Sequence, residues 1–192
     1  MKKRIFAIAV VMICLSILAS ATYAYFTDTG IARNVITTGG ISAEVVEKQE
    51  EDGELIPYPT DPIPVMPGTT VSKIPMTKMG EGSAPAWIRM GFYVVIKDAF
   101  GHVMPHTQEQ LRELITIEPN RVHWTERDGW YYYIDPLEDG EESQPLFWEV
   151  SFSGPKMGNE YQNATIEIFV RTQAVQQAHN GDSALEAEGW PR

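Results

Sequence analysis

His102 and His106 stand four residues apart, the spacing that brings two imidazoles to one face of a helix for a metal ion. Gly101 before them and Pro105 between them work against that helix. There is no HExxH, no clustered Cys or further His set, and no matching carboxylate frame, so no metal site is expected. The acidic run Glu138-Asp139-Gly140-Glu141-Glu142 carries oxygen ligands that would suit calcium, but its spacing is not that of an EF-hand loop, and it reads as a solvated turn. His123 and His179 read as ordinary strand and tail residues. A GxSxG elbow and an SxxK…KTG set are both missing, and Gly39-Gly40 and Gly80-Glu81-Gly82 open turns or strands rather than phosphate-binding helices. Asn163-Ala164-Thr165 matches the glycosylation sequon, a pattern short enough to arise by chance. The residues therefore describe a protein that is not an enzyme, with no catalytic residue, metal or cofactor to assign.

The elements that would position any site begin after an export leader. Lys2-Lys3-Arg4 precede an uncharged apolar run from Ile5 to Ala19, and small residues follow. This is the layout of a signal peptide. The peptidase needs small side chains at the first and third positions before the cut, which Thr22 and Ala24 supply, so cleavage is placed between Ala24 and Tyr25. Ala19-Ser20-Ala21 meets the same demand, and an uncleaved anchor helix is the other reading of the apolar run. Cys14, the one cysteine of the 192 residues, lies in this leader, and Ile13 before it does not suit a lipidation signal. Loss of Lys2, Lys3 and Arg4 would take the formal charge from −11 to −14. A body so acidic would be repelled by nucleic acid and by anionic membranes. The chain is expected to be secreted.

Downstream, 43% hydrophobic residues and five Trp suffice for a folded core. Residues 41–46 alternate as a half-buried strand, and residues 47–67 are acidic and then proline-rich, which reads as a long surface loop. Val71 to Met76 alternates but contains Pro75, so an edge strand is expected there. Trp87–Lys97, Leu146–Phe152 and Thr165–Thr172 read as strands. The aromatic runs around Glu126-Arg127-Asp128-Gly129 predict a hairpin. Thr107 with Gln110 three residues on forms a capping box for one short helix, with Leu111, Leu114 and Ile115 on its inner face. Gln173 to Arg192 reads as a polar tail ending in an exposed Trp190. The fold class expected is all-β, an antiparallel jelly roll or β-sandwich with one short helix, preceded by the signal-peptide helix. The domains are a leader at 1–24, a jelly-roll domain at 25–178 whose first part, 25–38, is extended, and a tail at 179–192. Trp87, Trp130-Tyr131-Tyr132-Tyr133 and Trp148 offer rings that could stack on sugars, although alternation turns half of such rings into the core.

The junction Ala21-Thr22-Tyr23-Ala24-Tyr25-Phe26-Thr27-Asp28, followed by Ala32-Arg33-Asn34-Val35-Ile36-Thr37-Thr38-Gly39-Gly40-Ile41, resembles the TasA/camelysin family of Gram-positive exported proteins. Val65-Met66-Pro67-Gly68 looks like the family's Pro-Gly step, and Phe169 to Gln176 like its closing strand. The resemblance implies processing by a SipW-type signal peptidase and a jelly-roll subunit of a biofilm matrix fibre. It further implies head-to-tail self-assembly, in which the mature N-terminal segment of one copy adds as a strand to the next. Tyr25, Phe26, Ile31, Val35 and Ile36 would supply the apolar side chains of that strand. Other matrix components are possible partners. Camelysin-like members have been described as metal-dependent proteases, an activity for which this chain has no motif. A monomeric cell-surface module binding polysaccharide or protein is the alternative reading, and a secreted metal-dependent protease the third.

Overall fold

The computed structural model describes residues 40–63 and 65–191. The leader, the cleavage residues Thr22, Ala24 and Tyr25, and the assembly residues Tyr25, Phe26, Ile31, Val35 and Ile36 lie outside the described residues. Within them, none of the helices is long and apolar enough to cross a membrane.

The described chain is all-β with antiparallel pairing and one short α-helix. Its strands are β1 (Ala43–Glu51), β2 (Glu54–Pro57), β3 (Thr70–Ser72), β4 (Ile74–Met79), β5 (Ala86–Lys97), β6 (Ile115–Ile117), β7 (Trp124–Arg127), β8 (Trp130–Tyr133), β9 (Glu149–Phe152) and β10 (Thr165–Gln176). The helix is α1 (Gln108–Leu114). Three sheets form, in the orders β2-β1-β4, β10-β5-β8-β7 and β3-β9-β6. Only Lys73 separates β3 from β4.

Local chemistry explains most of these elements. At α1 the Thr107 hydroxyl accepts from the Gln110 N–H, and the Gln110 side chain accepts from the Thr107 N–H, as the capping box requires. The β7–β8 hairpin closes through Asp128 and Gly129, both at positive φ (55° and 77°), the conformation for which Asp-Gly is suited. The stretch 47–67, read as a loop from its sequence, is instead half strand. β1 runs on to Glu51, turns at Asp52-Gly53 (φ 52° and 85°) and pairs with β2 from Glu54 to Pro57. The prolines begin only where that hairpin ends, so they do not prevent it.

Pro75 lies in β4, the terminal strand of its sheet, as its sequence suggested. β4 has β1 on one side and the segment 141–146 on the other, where Met79 and Ser143 donate to Glu141 and Thr77 carbonyls and Leu146 donates to that of Pro75. Odd-numbered residues of β4 face the irregular segment and even-numbered ones face β1, so the missing N–H of Pro75 interrupts no β1 bond.

The core draws on all three sheets. Met79, Ile88, Met90, Ile96, Trp124, Leu146, Phe147 and Val150 are buried within it, and Leu114 and Ile115 close it from the helix side. Phe92 packs edge-on to Phe147 at 5.3 Å and stacks on Tyr131 at 5.7 Å, so the central strand is pinned by aromatic contacts as well as by area. Trp124, fully buried, donates its indole N–H to the Pro145 carbonyl at 3.0 Å.

Candidate functional site

β10 is the outermost strand of its sheet, and its twelve residues pair with β5 alone. The direction of its free backbone groups follows from the neighbours. Ile96 accepts from Met104 and Ala86 exchanges bonds with Leu137, so even-numbered residues of β5 point away from β10. Odd-numbered residues of β5 therefore bond to β10, as the Gln177 N–H to Pro85 carbonyl bond at the end of the ladder also shows. Across the register Thr165↔Lys97 to Gln176↔Ala86, odd partners odd. Thr165, Glu167 and Phe169 thus give their N–H and C=O to β5, whereas those of Ile166, Ile168 and Val170 point to the free edge. No described strand pairs with them there.

The same three side chains face inward, against the core, and are only partly covered. Along this edge from Thr165 to Phe169 opens a groove of about 1310 Å³. Its floor holds Val71, Phe152 and Met157, and its far wall is the proline-rich stretch of 58–63 and 65–67. Apolar floor, partly covered strand and unpaired backbone together make a place for an extended segment.

The wall is built so that it does not fill the groove itself. It is fixed at one end by the Tyr58 N–H on the Glu47 carbonyl and at the other by the Gly68 N–H on the Phe152 carbonyl, each at 2.9 Å. Pro59, Pro62 and Pro67 have no N–H to offer a neighbouring strand. At its base Lys73, 6% exposed, holds its ammonium 2.7 Å from a Glu47 carboxylate oxygen and 4.1 Å over the Tyr58 ring. Burial, and then the Glu47 charge, push the Tyr58 phenol above its ordinary range. Behind Tyr161, which lines the groove, His106 donates its Nδ1–H to the Met104 carbonyl (2.8 Å) and holds Nε2 2.9 Å from the Tyr161 hydroxyl, which fixes that corner.

The other chemistry-bearing residues do not converge. His102 lies 3.3 Å from Asp98 on an exposed turn, while His106 faces Tyr161, so the pair shares no focus. Backbone N–H groups of His102 and Phe100 hold the Asp98 carboxyl below its usual range. In the acidic turn, Asp139 accepts from the Gly82 N–H at 2.7 Å, Glu141 from that of Glu138 at 3.0 Å, and Glu142 pairs with Lys48 at 2.8 Å. Three of its four carboxylates are thus engaged with donors of the chain itself. No group of three His, Cys, Asp or Glu suited to a metal occurs among the described residues.

The aromatic residues considered for sugar stacking are largely engaged. The Trp130 ring carries the Arg171 guanidinium at 4.0 Å and that of Arg89 at 4.3 Å. Arg89 lies in turn 4.7 Å from the Trp190 ring, so cations and rings alternate. Trp190, expected to be exposed, is half-buried and meets Tyr132 edge-on at 5.7 Å. The tail is held over this face by the Trp87 indole N–H on the Asn180 carbonyl (3.1 Å) and by Arg127 on the Leu185 carbonyl (2.8 Å). Tyr131 and Tyr133 turn to the core, and Trp148 is exposed. No local pattern announces this ladder, since its rungs are far apart in the chain. The free edge of β10 had one indirect sign, a β-branched strand with no later strand to pair with it.

Compared with known proteins, the chain matches no family model, no curated protein and no solved structure.

Proposed function

We propose that this chain is a secreted, non-enzymatic fibre subunit of the TasA/camelysin type. Its sheets form a jelly-roll sandwich lacking one strand beside β10, and the N-terminal segment 25–38 of a neighbouring copy supplies it. The observation that carries this reading is the edge of β10, where Ile166 and Ile168 aim unpaired backbone groups into a groove with an apolar floor. An added strand would satisfy those groups and cover the two side chains. Because donor and acceptor lie on different parts of one chain, the contact is head-to-tail. Repetition of it gives a filament. The leader would be removed by a SipW-type peptidase between Ala24 and Tyr25, and the protein would reside in the extracellular matrix.

The reading is tested by electron microscopy of protein beginning at Tyr25 beside protein beginning at Gly39. Filaments from the first and none from the second are expected. Monomers from both, at concentrations where fibre subunits polymerise, would overturn it.

A further inference from the structure

We infer that the incoming strand is registered by an aromatic stack, with Tyr25 of one copy laid against Phe169 of the next. The inference rests on the strand-addition reading and fixes which donor residue meets which acceptor residue. Phe169 faces outward and is 43% exposed, although it is a large apolar ring. One of its faces is stacked on Tyr93, its register partner on β5, with ring centroids 4.9 Å apart and planes 14° from parallel. That separation matches the roughly 4.8 Å spacing of neighbouring strands, so the two rings stand as successive rungs across the sheet. The other side of Phe169 borders the groove along the free edge. A strand added there sets one outward side chain beside Phe169 at the same spacing, and a ring in that place continues the stack.

The 25–38 segment contains two aromatic residues, Tyr25 and Phe26. Adjacent residues of a strand project to opposite faces. With Tyr25 outward on Phe169, Phe26 points inward to the floor of Val71, Phe152 and Met157. The phenol hydroxyl then stays in water and the wholly apolar ring is buried. The opposite assignment would bury the hydroxyl and expose the hydrocarbon ring, so the register with Tyr25 outward is the one chosen. Backbone direction agrees: Phe169 bonds to β5, so toward the free edge it occupies a non-hydrogen-bonded position, where facing Cα atoms are about 4.5 Å apart.

That separation falls within the range a disulfide accepts, roughly 4.4–6.8 Å. Residues 25–192 contain no cysteine. The experiment therefore mixes two single-cysteine variants of the protein beginning at residue 25, Tyr25→Cys and Phe169→Cys, under mild oxidation during assembly. A disulfide-linked heterodimer is expected from that pair and not from Phe26→Cys with Phe169→Cys. In the otherwise unaltered chain, Phe169→Ala should raise the concentration needed for assembly about three- to tenfold, and Phe169→Trp should leave it nearly unchanged. Filaments in which Ile31→Cys, and not Tyr25→Cys, links to Phe169→Cys would overturn this register while leaving strand addition standing. Absence of filaments from the unsubstituted protein would overturn both.

Discussion

Lys73 is buried at the base of the proline-rich wall and has the carboxylate of Glu47 2.7 Å from its ammonium. A cation so placed depends on its counter-ion, because the cost of removing it from water is offset only while the pair is intact. Glu47→Ala should therefore destabilise the fold by about 2–3 kcal/mol, somewhat below a fully buried pair because Glu47 keeps some contact with solvent. Replacing both residues, Glu47→Leu with Lys73→Met, should recover most of that loss. Urea denaturation of the single and double variants checks the pair.

Ile168→Pro and Phe169→Pro should behave oppositely, although the residues are adjacent. The Ile168 N–H points to the free edge, so its loss removes no bond to β5, and Ile168→Pro should fold yet fail to polymerise. The Phe169 N–H belongs to the β5 ladder, so Phe169→Pro should lose about 3 kcal/mol or more of stability. Thermal melts together with light scattering separate the two effects.

The local elements were readable in the residues themselves. Asp128-Gly129 specified a hairpin turn and Thr107 with Gln110 specified a helix start, and both are found because the chemistry lies within four residues. Asp52-Gly53 carried the same turn signal but was masked by the acidic and proline-rich composition around it, so β2 was missed. Pro75 pointed to the terminal strand of its sheet, but the irregular 141–146 segment that bonds to its outer side is distant in sequence and left no local sign. The groove had one indirect sign, a β-branched strand with no later strand to pair with it. It exists because β10 has one neighbour, and that is a property of topology.

Gly91 is required where the cation–ring ladder crosses β5. A methyl group there would lie 3.2 Å from Trp130 Cε3 and 3.3 Å from Arg171 Nε. Gly91→Ala should cost about 1–2 kcal/mol by forcing the ladder outward. Arg89→Ala should release the tail, since Arg89 touches both Trp130 and Trp190 and donates to the Pro191 carbonyl. Hydrogen exchange is expected to rise across 180–190 in Arg89→Ala while β5 and β10 stay protected.

Alkali should weaken the fold through its tyrosines. Burial raises the phenols of Tyr58, Tyr131, Tyr133 and Tyr161 above their ordinary value of 10.0. The folded state thus holds these protons more tightly than the unfolded one. The stability they contribute is fully present below about pH 10 and is lost as the pH rises through the raised values. Denaturation midpoints should hold up to about pH 10 and fall above it, and Tyr58→Phe should lessen the fall.

In the proposed assembly the edge of β10 receives the 25–38 segment. Amide exchange on protein beginning at Gly39, with and without a synthetic peptide of residues 25–38, tests it most directly. The amides of Ile166 and Ile168 should exchange freely alone and become protected with the peptide. Those of Glu167 and Phe169, already bonded to β5, should change little. Unchanged exchange at the two edge amides with saturating peptide, or protection confined to another strand, would contradict the account.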